Sequence, residues 1–124
     1  MEQKHILVVE DEAPFQLFLQ KLLQNAGYRV SAVPEGRAAL KIARDDRPDL
    51  VLLDLIMPGM DGYATCSMLK RADRGAAPVL VLSGRTTDKD EKAAYAAGAD
   101  AFLRKPVDGD VLLERIRNLL EPKG

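Results

Sequence analysis

The 124-residue chain has a single cysteine, Cys66, so no disulfide can form within it, and such usage is compatible with a reducing cytosol. Lying in a helical segment, that cysteine reads as a small buried hydrophobe. Neither sign of charge is in excess: 18 Lys and Arg stand against 19 Asp and Glu, a formal net charge of −1. That balance leaves no electrostatic footprint for nucleic acid or an anionic membrane. No apolar run approaches the roughly 20 residues needed to span a bilayer. Met1-Glu2-Gln3-Lys4-His5 enters an apolar strand directly, without the layout of a signal peptide, so a cytoplasmic protein is expected. Repeats, low-complexity tracts and linkers are missing too. With 47% apolar and 30% charged residues, the expectation is one ordinary globular domain over 1–124, with no output domain after the last helix.

What the chain does have is alternation. Ile6 to Val9, Leu50 to Leu53 and Val79 to Leu82 are short apolar runs bounded by breakers or charges, which predicts strands buried on both faces. Tyr28 to Val33, where Arg29 and Ser31 alternate with Val30 and Ala32, predicts an edge strand, and Ala101 to Leu103 a last short one. Between them lie helical patterns. Phe15, Phe18, Leu19, Leu22, Leu23 and Ala26 form one stripe, ended by Gly27; Ala39, Leu40 and Ala43 form the next, followed by a third helix over about Tyr63 to Ala72. A fourth, Ala-rich helix is expected from an Asp88 cap to Ala97, and a fifth from about Asp108 to Leu120, with Leu112, Leu113, Ile116, Leu119 and Leu120 facing inward. Five strands alternating with five helices imply a parallel sheet in a three-layer α/β sandwich.

In such sheets the site lies beyond the carboxyl ends of the strands. Four of those ends carry Glu10-Asp11-Glu12, Asp54, Ser83 and Lys105. A carboxylate at the end of a buried strand needs a partner, because leaving water unpaired is costly. Taken singly, each residue has a structural reading: Asp54 as a cap, Lys105 as its ion-pair partner, Ser83 as a turn residue, Glu12 beside the first helical turn. His5, at the opposite end of its strand, is discounted as a phosphorylation site. Taken together, the set suits phosphoryl transfer to a carboxylate. Asp54 would be the nucleophile, and Asp11 and Asp54, with Glu10 as a further candidate, would hold Mg²⁺. Lys105 would supply a point charge and Ser83 a hydroxyl donor.

With these residues in hand, the chain resembles the receiver domain of two-component response regulators. The matching motifs are Val8-Val9-Glu10-Asp11-Glu12, Asp54-Leu55-Ile56-Met57-Pro58-Gly59-Met60-Asp61-Gly62, Ser83-Gly84, and Gly98-Ala99-Asp100-Ala101-Phe102-Leu103-Arg104-Lys105-Pro106. The resemblance implies a flavodoxin-like strand order, 2-1-3-4-5. It also implies that Asp54 accepts a phosphoryl group from a phosphohistidine on a sensor histidine kinase or phosphotransfer protein. Glu10, Asp11, Asp54 and the backbone carbonyl of Ile56 would then hold Mg²⁺. Ser83 and Phe102 would form the switch pair, the ring turning inward as the hydroxyl moves to the phosphoryl group, and Lys105 would precede a cis Pro106. The output face would be the fourth helix, fifth strand and fifth helix, binding a downstream protein or a second copy of the chain. Glu10 and Gly84 depart from the commoner Asp and Ala. Ile56 has no polar side chain to orient water, so slow self-dephosphorylation is expected. A haloacid-dehalogenase-type phosphohydrolase, which needs a second Asp where Ile56 stands, is disfavoured. The expectation is a regulatory phosphoacceptor rather than an enzyme acting on other substrates.

Overall fold

A computed structural model describes residues 3–55, 62–72, 77–84 and 88–121, with Ala72 and Asp88 given by their backbones alone. The three continuous apolar runs become the middle of one sheet: β1 (His5–Val9), β3 (Leu50–Asp54) and β4 (Val79–Ser83) are buried throughout. Helices cover both of their faces, which is why these strands lack an alternating polar side. β2 (Arg29–Val33) and β5 (Ala101–Arg104), with exposed residues, form the edges. All four pairings are parallel, in the order β2-β1-β3-β4-β5. This is the flavodoxin-like order the resemblance implied.

Two cores lie either side of the sheet. Leu7, Val9, Val51, Leu53, Val79 and Val81 face α2 (Gly36–Asp45), α3 (Gly62–Ala72) and α4 (Asp88–Ala96). Ile6, Val8, Leu50, Leu52, Leu80 and Leu82 face α1 (Ala13–Asn25) and α5 (Gly109–Leu120). The alternation follows from strand geometry and sets which side each residue beyond a strand end will take.

Local chemistry ends the helices. Gly27 (φ 97°) and Gly98 (φ 110°) adopt the left-handed conformation that stops α1 and α4. Asp108 caps α5, accepting from the Asp110 and Val111 N–H groups at 2.8 and 3.3 Å. Asp88 occupies the first turn of α4 rather than the position before it, and its side chain lies outside the described residues. Glu12 holds the N-cap position of α1 without a side-chain capping bond; its carbonyl accepts from the Gln16 N–H at 2.9 Å.

The α1 stripe is narrower than the sequence pattern suggested. Leu19 and Leu23 are buried, Phe15 and Leu22 half-buried, but Phe18 is 44% exposed and Ala26 is exposed as well. A helix resting on a sheet buries an i, i+4 row, and the i+3 positions fall on its flank. At the amino end of the sheet His5 is buried, with Nε2 2.7 Å from Ser31 Oγ and Nδ1 3.4 Å from the Arg47 carbonyl. That places it away from the strand carboxyl ends, in a structural role. Among the described residues, no helix is long and apolar enough to cross a membrane.

Candidate functional site

Just beyond β1, the Glu10 N–H donates to Val33 O at 3.0 Å, extending the β1–β2 ladder by one residue. By strand alternation Glu10 continues the row of Ile6 and Val8, and Asp54 that of Leu50 and Leu52. Lys105 follows Ala101 and Leu103 in the same way. All three therefore come to the α1 side of the sheet edge. They line an open cleft of about 430 Å³ with Asp11, Glu12 and Gly84.

One carboxylate oxygen from each of Glu10, Asp11 and Asp54 lies within 4.8 Å of the other two. Anionic oxygens so close repel one another unless a cation joins them. The donors are all hard oxygens, with no nitrogen or sulfur among them, which fits Mg²⁺. Glu10 is 1% exposed, and its carboxylate accepts from the Glu12 N–H and from the Lys105 ammonium, each at 3.1 Å. Burial pushes its pKa above the ordinary 4.5, and the charge of Asp54 adds to the rise. The Glu12 N–H and Lys105 offset only part of it.

A raised carboxylate pKa means that the folded state tolerates the charge less well than the unfolded chain does. The cost is present above Glu10's folded pKa and vanishes below its unfolded one. In metal-free protein, Glu10→Gln is thus expected to raise the melting temperature at pH 7. The gain should fade as the pH is lowered to about 4, where wild-type Glu10 is itself protonated. Mg²⁺ affinity should fall at least ~10-fold, the loss that even groups outside the ligand shell cause. Thermal melts at the two pH values and a calorimetric Mg²⁺ titration check both parts.

Lys105 is the hub of the cleft. Its Nζ donates to Glu10 Oε1 at 3.1 Å and lies 3.6 Å from Asp54 Oδ2, so its nearer ion-pair partner is Glu10 and not Asp54. Its own N–H donates to Ser83 O at 2.8 Å, continuing the β4–β5 ladder, and the Lys105–Pro106 bond is cis. The ammonium also stands 4.5 Å from the centroid of the Phe15 ring. Phe15 was legible in the sequence only as part of the inward stripe. Nothing in the spacing marks it as a neighbour of the cleft, because the contact is made by a residue 90 positions later in the chain.

Ser83 and Phe102 fall on the other alternation row of the sheet. Ser83 ends β4 fully buried, on the alternation row of Val79 and Val81; Gly84, not Ser83, lines the cleft. Phe102, paired in register with Val81, is 6% exposed and packs inward in the core that includes Ala94 and Ala99. Ile56 lies outside the described residues. Cys66 is fully buried in α3, and burial pushes its thiol up to about 11, in keeping with a small hydrophobe that stays protonated.

The transcriptional regulatory protein CseB of Streptomyces coelicolor is 40% identical over 123 residues, which are 99% of this chain and 52% of CseB. The chain thus spans about half the length of the curated relatives it matches. Among solved structures, the signal receiver domain of a signal transduction histidine kinase from Syntrophus aciditrophicus aligns with a TM-score of 0.86 and 35% identity, over 94% of this chain and 89% of that one. The receiver domain of a sensor histidine kinase from Pseudomonas aeruginosa PAO1, solved with a magnesium ion coordinated in its active site cleft, aligns with a TM-score of 0.88 and 28% identity, over 96% and 98% of the two chains. The family model described as the response regulator receiver domain matches residues 6–117. Its span, together with the sheet order and the acidic strand ends, makes this chain a member of the response regulator receiver domain family.

Proposed function

We propose that the chain is a phosphorylation-activated switch in which Asp54 takes a phosphoryl group from a phosphohistidine of a sensor histidine kinase or phosphotransfer protein. The observation that carries this reading is the convergence of Glu10, Asp11, Asp54 and Lys105 on one open cleft. Asp54 is 6% exposed yet borders the open cleft, so one of its oxygens can meet an incoming phosphorus atom there. As the new O–P bond forms, the P–N bond of phosphohistidine breaks and the imidazole keeps its electron pair. Lys105 offers an ammonium to the negative charge spread over the phosphoryl oxygens. Glu10, Asp11 and Asp54 would hold Mg²⁺, with the carbonyl of Ile56 as the further ligand the resemblance implies; the ion would supply positive charge to the transferred group.

Ser83 and Phe102 are read as the switch. The buried Ser83 hydroxyl would move toward the phosphoryl oxygens, and the ring of Phe102, a residue 6% exposed, would turn further into the space the hydroxyl leaves. Output would follow through α4, β5 and α5. That face exposes Tyr95 (45%) and Val111 (47%), with Arg104 and Glu91 3.7 Å apart, and would take a downstream protein or a second copy of the chain. The setting would be cytoplasmic, with no direct contact to nucleic acid or membrane, in line with the near-zero net charge.

The test is mass spectrometry after incubation with acetyl phosphate and Mg²⁺. One phosphoryl group is expected on the wild type and none on Asp54→Ala; labelling that survives the substitution contradicts the reading. Hydrolysis of the acyl phosphate should be slow, because the position two residues past Asp54 is aliphatic. Ile56→Asn, which adds an amide able to orient a water molecule by hydrogen bonding, is expected to shorten the lifetime several-fold through positioning alone. Decay kinetics followed by intact mass check this, and an unchanged lifetime would refute it.

A further inference from the structure

The geometry points to Phe15 as a positioning residue for Lys105, one that keeps the ammonium over the cleft once a divalent cation has claimed the carboxylates. This rests on the assignment of Asp54 and Mg²⁺ just made and adds a residue that the motifs do not contain. Among the described residues, Lys105 Nζ has three charged or aromatic neighbours: Glu10 Oε1 at 3.1 Å, Asp54 Oδ2 at 3.6 Å and the Phe15 ring centroid at 4.5 Å. The first two are oxygens that a bound cation would draw to itself, and their negative charge would then be largely spent on the metal. The ring face offers no ligand atom to a hard cation, yet its quadrupole attracts an ammonium, so that hold survives metal binding.

The ring is itself fixed. It stacks on Phe18, with centroids 5.9 Å apart and planes inclined by 18°, and it packs against the α1/α5 core. Lys105 is held at its backbone by the bond to Ser83 O, but its flexible four-carbon stem leaves the ammonium free to swing. A lysine side chain is rich in rotamers, so a third contact that persists through metal binding has something substantial to restrain.

Two variants separate this role from packing. Phe15→Leu keeps an apolar side chain and removes the ring; Phe15→Trp restores a π face. In proton NMR of the wild type, the Lys105 Hε resonances are expected upfield of those of the other lysines, both metal-free and with saturating Mg²⁺, through the ring current. The displacement should vanish in Phe15→Leu and persist in Phe15→Trp. With saturating Mg²⁺, labelling by acetyl phosphate should slow about three- to tenfold in Phe15→Leu and return to within about twofold in Phe15→Trp, while the Mg²⁺ Kd changes less than about twofold in either. Lys105 Hε at an ordinary position in the Mg²⁺-loaded wild type overturns the proposal, and so do equal rates in the two variants. Should the wild type fail to label at all, the phosphoacceptor reading falls, and the NMR comparison alone still decides whether Phe15 holds Lys105.

Discussion

Gly62→Ala is expected to destabilise the fold by about 3 kcal/mol and lower the melting temperature by roughly 10 °C. Gly62 is buried at the first position of α3, and its N–H donates to Leu55 O at 3.2 Å, drawing together the two ends of the segment that follows Asp54. A Cβ there would lie 2.7 Å from the Leu55 carbonyl carbon and nearer still to its oxygen. The obstacle is backbone, which cannot swing aside as the end of a long side chain can. Relief would have to come from shifting the start of α3 or the end of β3. Since Leu55 follows Asp54 directly, Mg²⁺ affinity should fall along with stability. Gly84→Ala provides the contrast. Among the described residues a Cβ on Gly84 would meet nothing within 4 Å, and its φ is not positive, so alanine should fit without strain. By narrowing the unfolded ensemble it should add about 0.5 kcal/mol with labelling intact. Equal melting temperatures for wild type and Gly62→Ala would show that Leu55 and Gly62 do not approach so closely.

Lys105→Ala is expected to slow labelling of Asp54 about 100-fold, the cost of removing one preorganised donor from a developing anion. The same change should also destabilise the metal-free protein, for a separate reason. Glu10 is 1% exposed, and Lys105 is one of the two groups that hold its pKa down against burial. Without the ammonium, the folded-state pKa of Glu10 rises further above 4.5 and the charged form becomes costlier. The added instability is present at neutral pH and is relieved as acidification protonates Glu10. Adding Glu10→Gln should restore the melting temperature without restoring labelling, because the two losses have different origins. Lys105→Arg is not expected to rescue the rate, since a planar guanidinium does not occupy the place of a compact ammonium. A double variant that regained labelling would assign Lys105 a role in shielding Glu10 and none in the transfer.

The fold was legible because burial on both faces leaves a plain mark. Ile6–Val9, Leu50–Leu53 and Val79–Leu82 carry no polar alternation, and only a sheet covered on both sides accommodates that. The strand order itself came from the resemblance and not from periodicity. Placement at the strand ends was legible for Glu10, Asp54 and Lys105, since parallel strands send their carboxyl ends to one edge. Which partner Lys105 prefers was not. The strand-end pattern suggests Asp54, but Glu10, just beyond the neighbouring β1, lies nearer the ammonium. Phe18 and Phe15 show the same limit from the helix side. Both satisfy the stripe, yet one is largely exposed and the other meets the cleft, because an i, i+3 pattern does not say which flank of a helix faces a neighbour.

Charge placed on Asp54 is expected to change a distant face of the molecule. The direct measurement is a set of amide NMR shifts recorded with and without acetyl phosphate in the presence of Mg²⁺, on the wild type and on Asp54→Ala. Phosphorylation of the wild type is expected to shift amides around Ser83 and Phe102 and onward through α4 and β5, with no such changes in Asp54→Ala. Shifts confined to the ends of β1 and β3, with α4 and β5 unmoved, would contradict it.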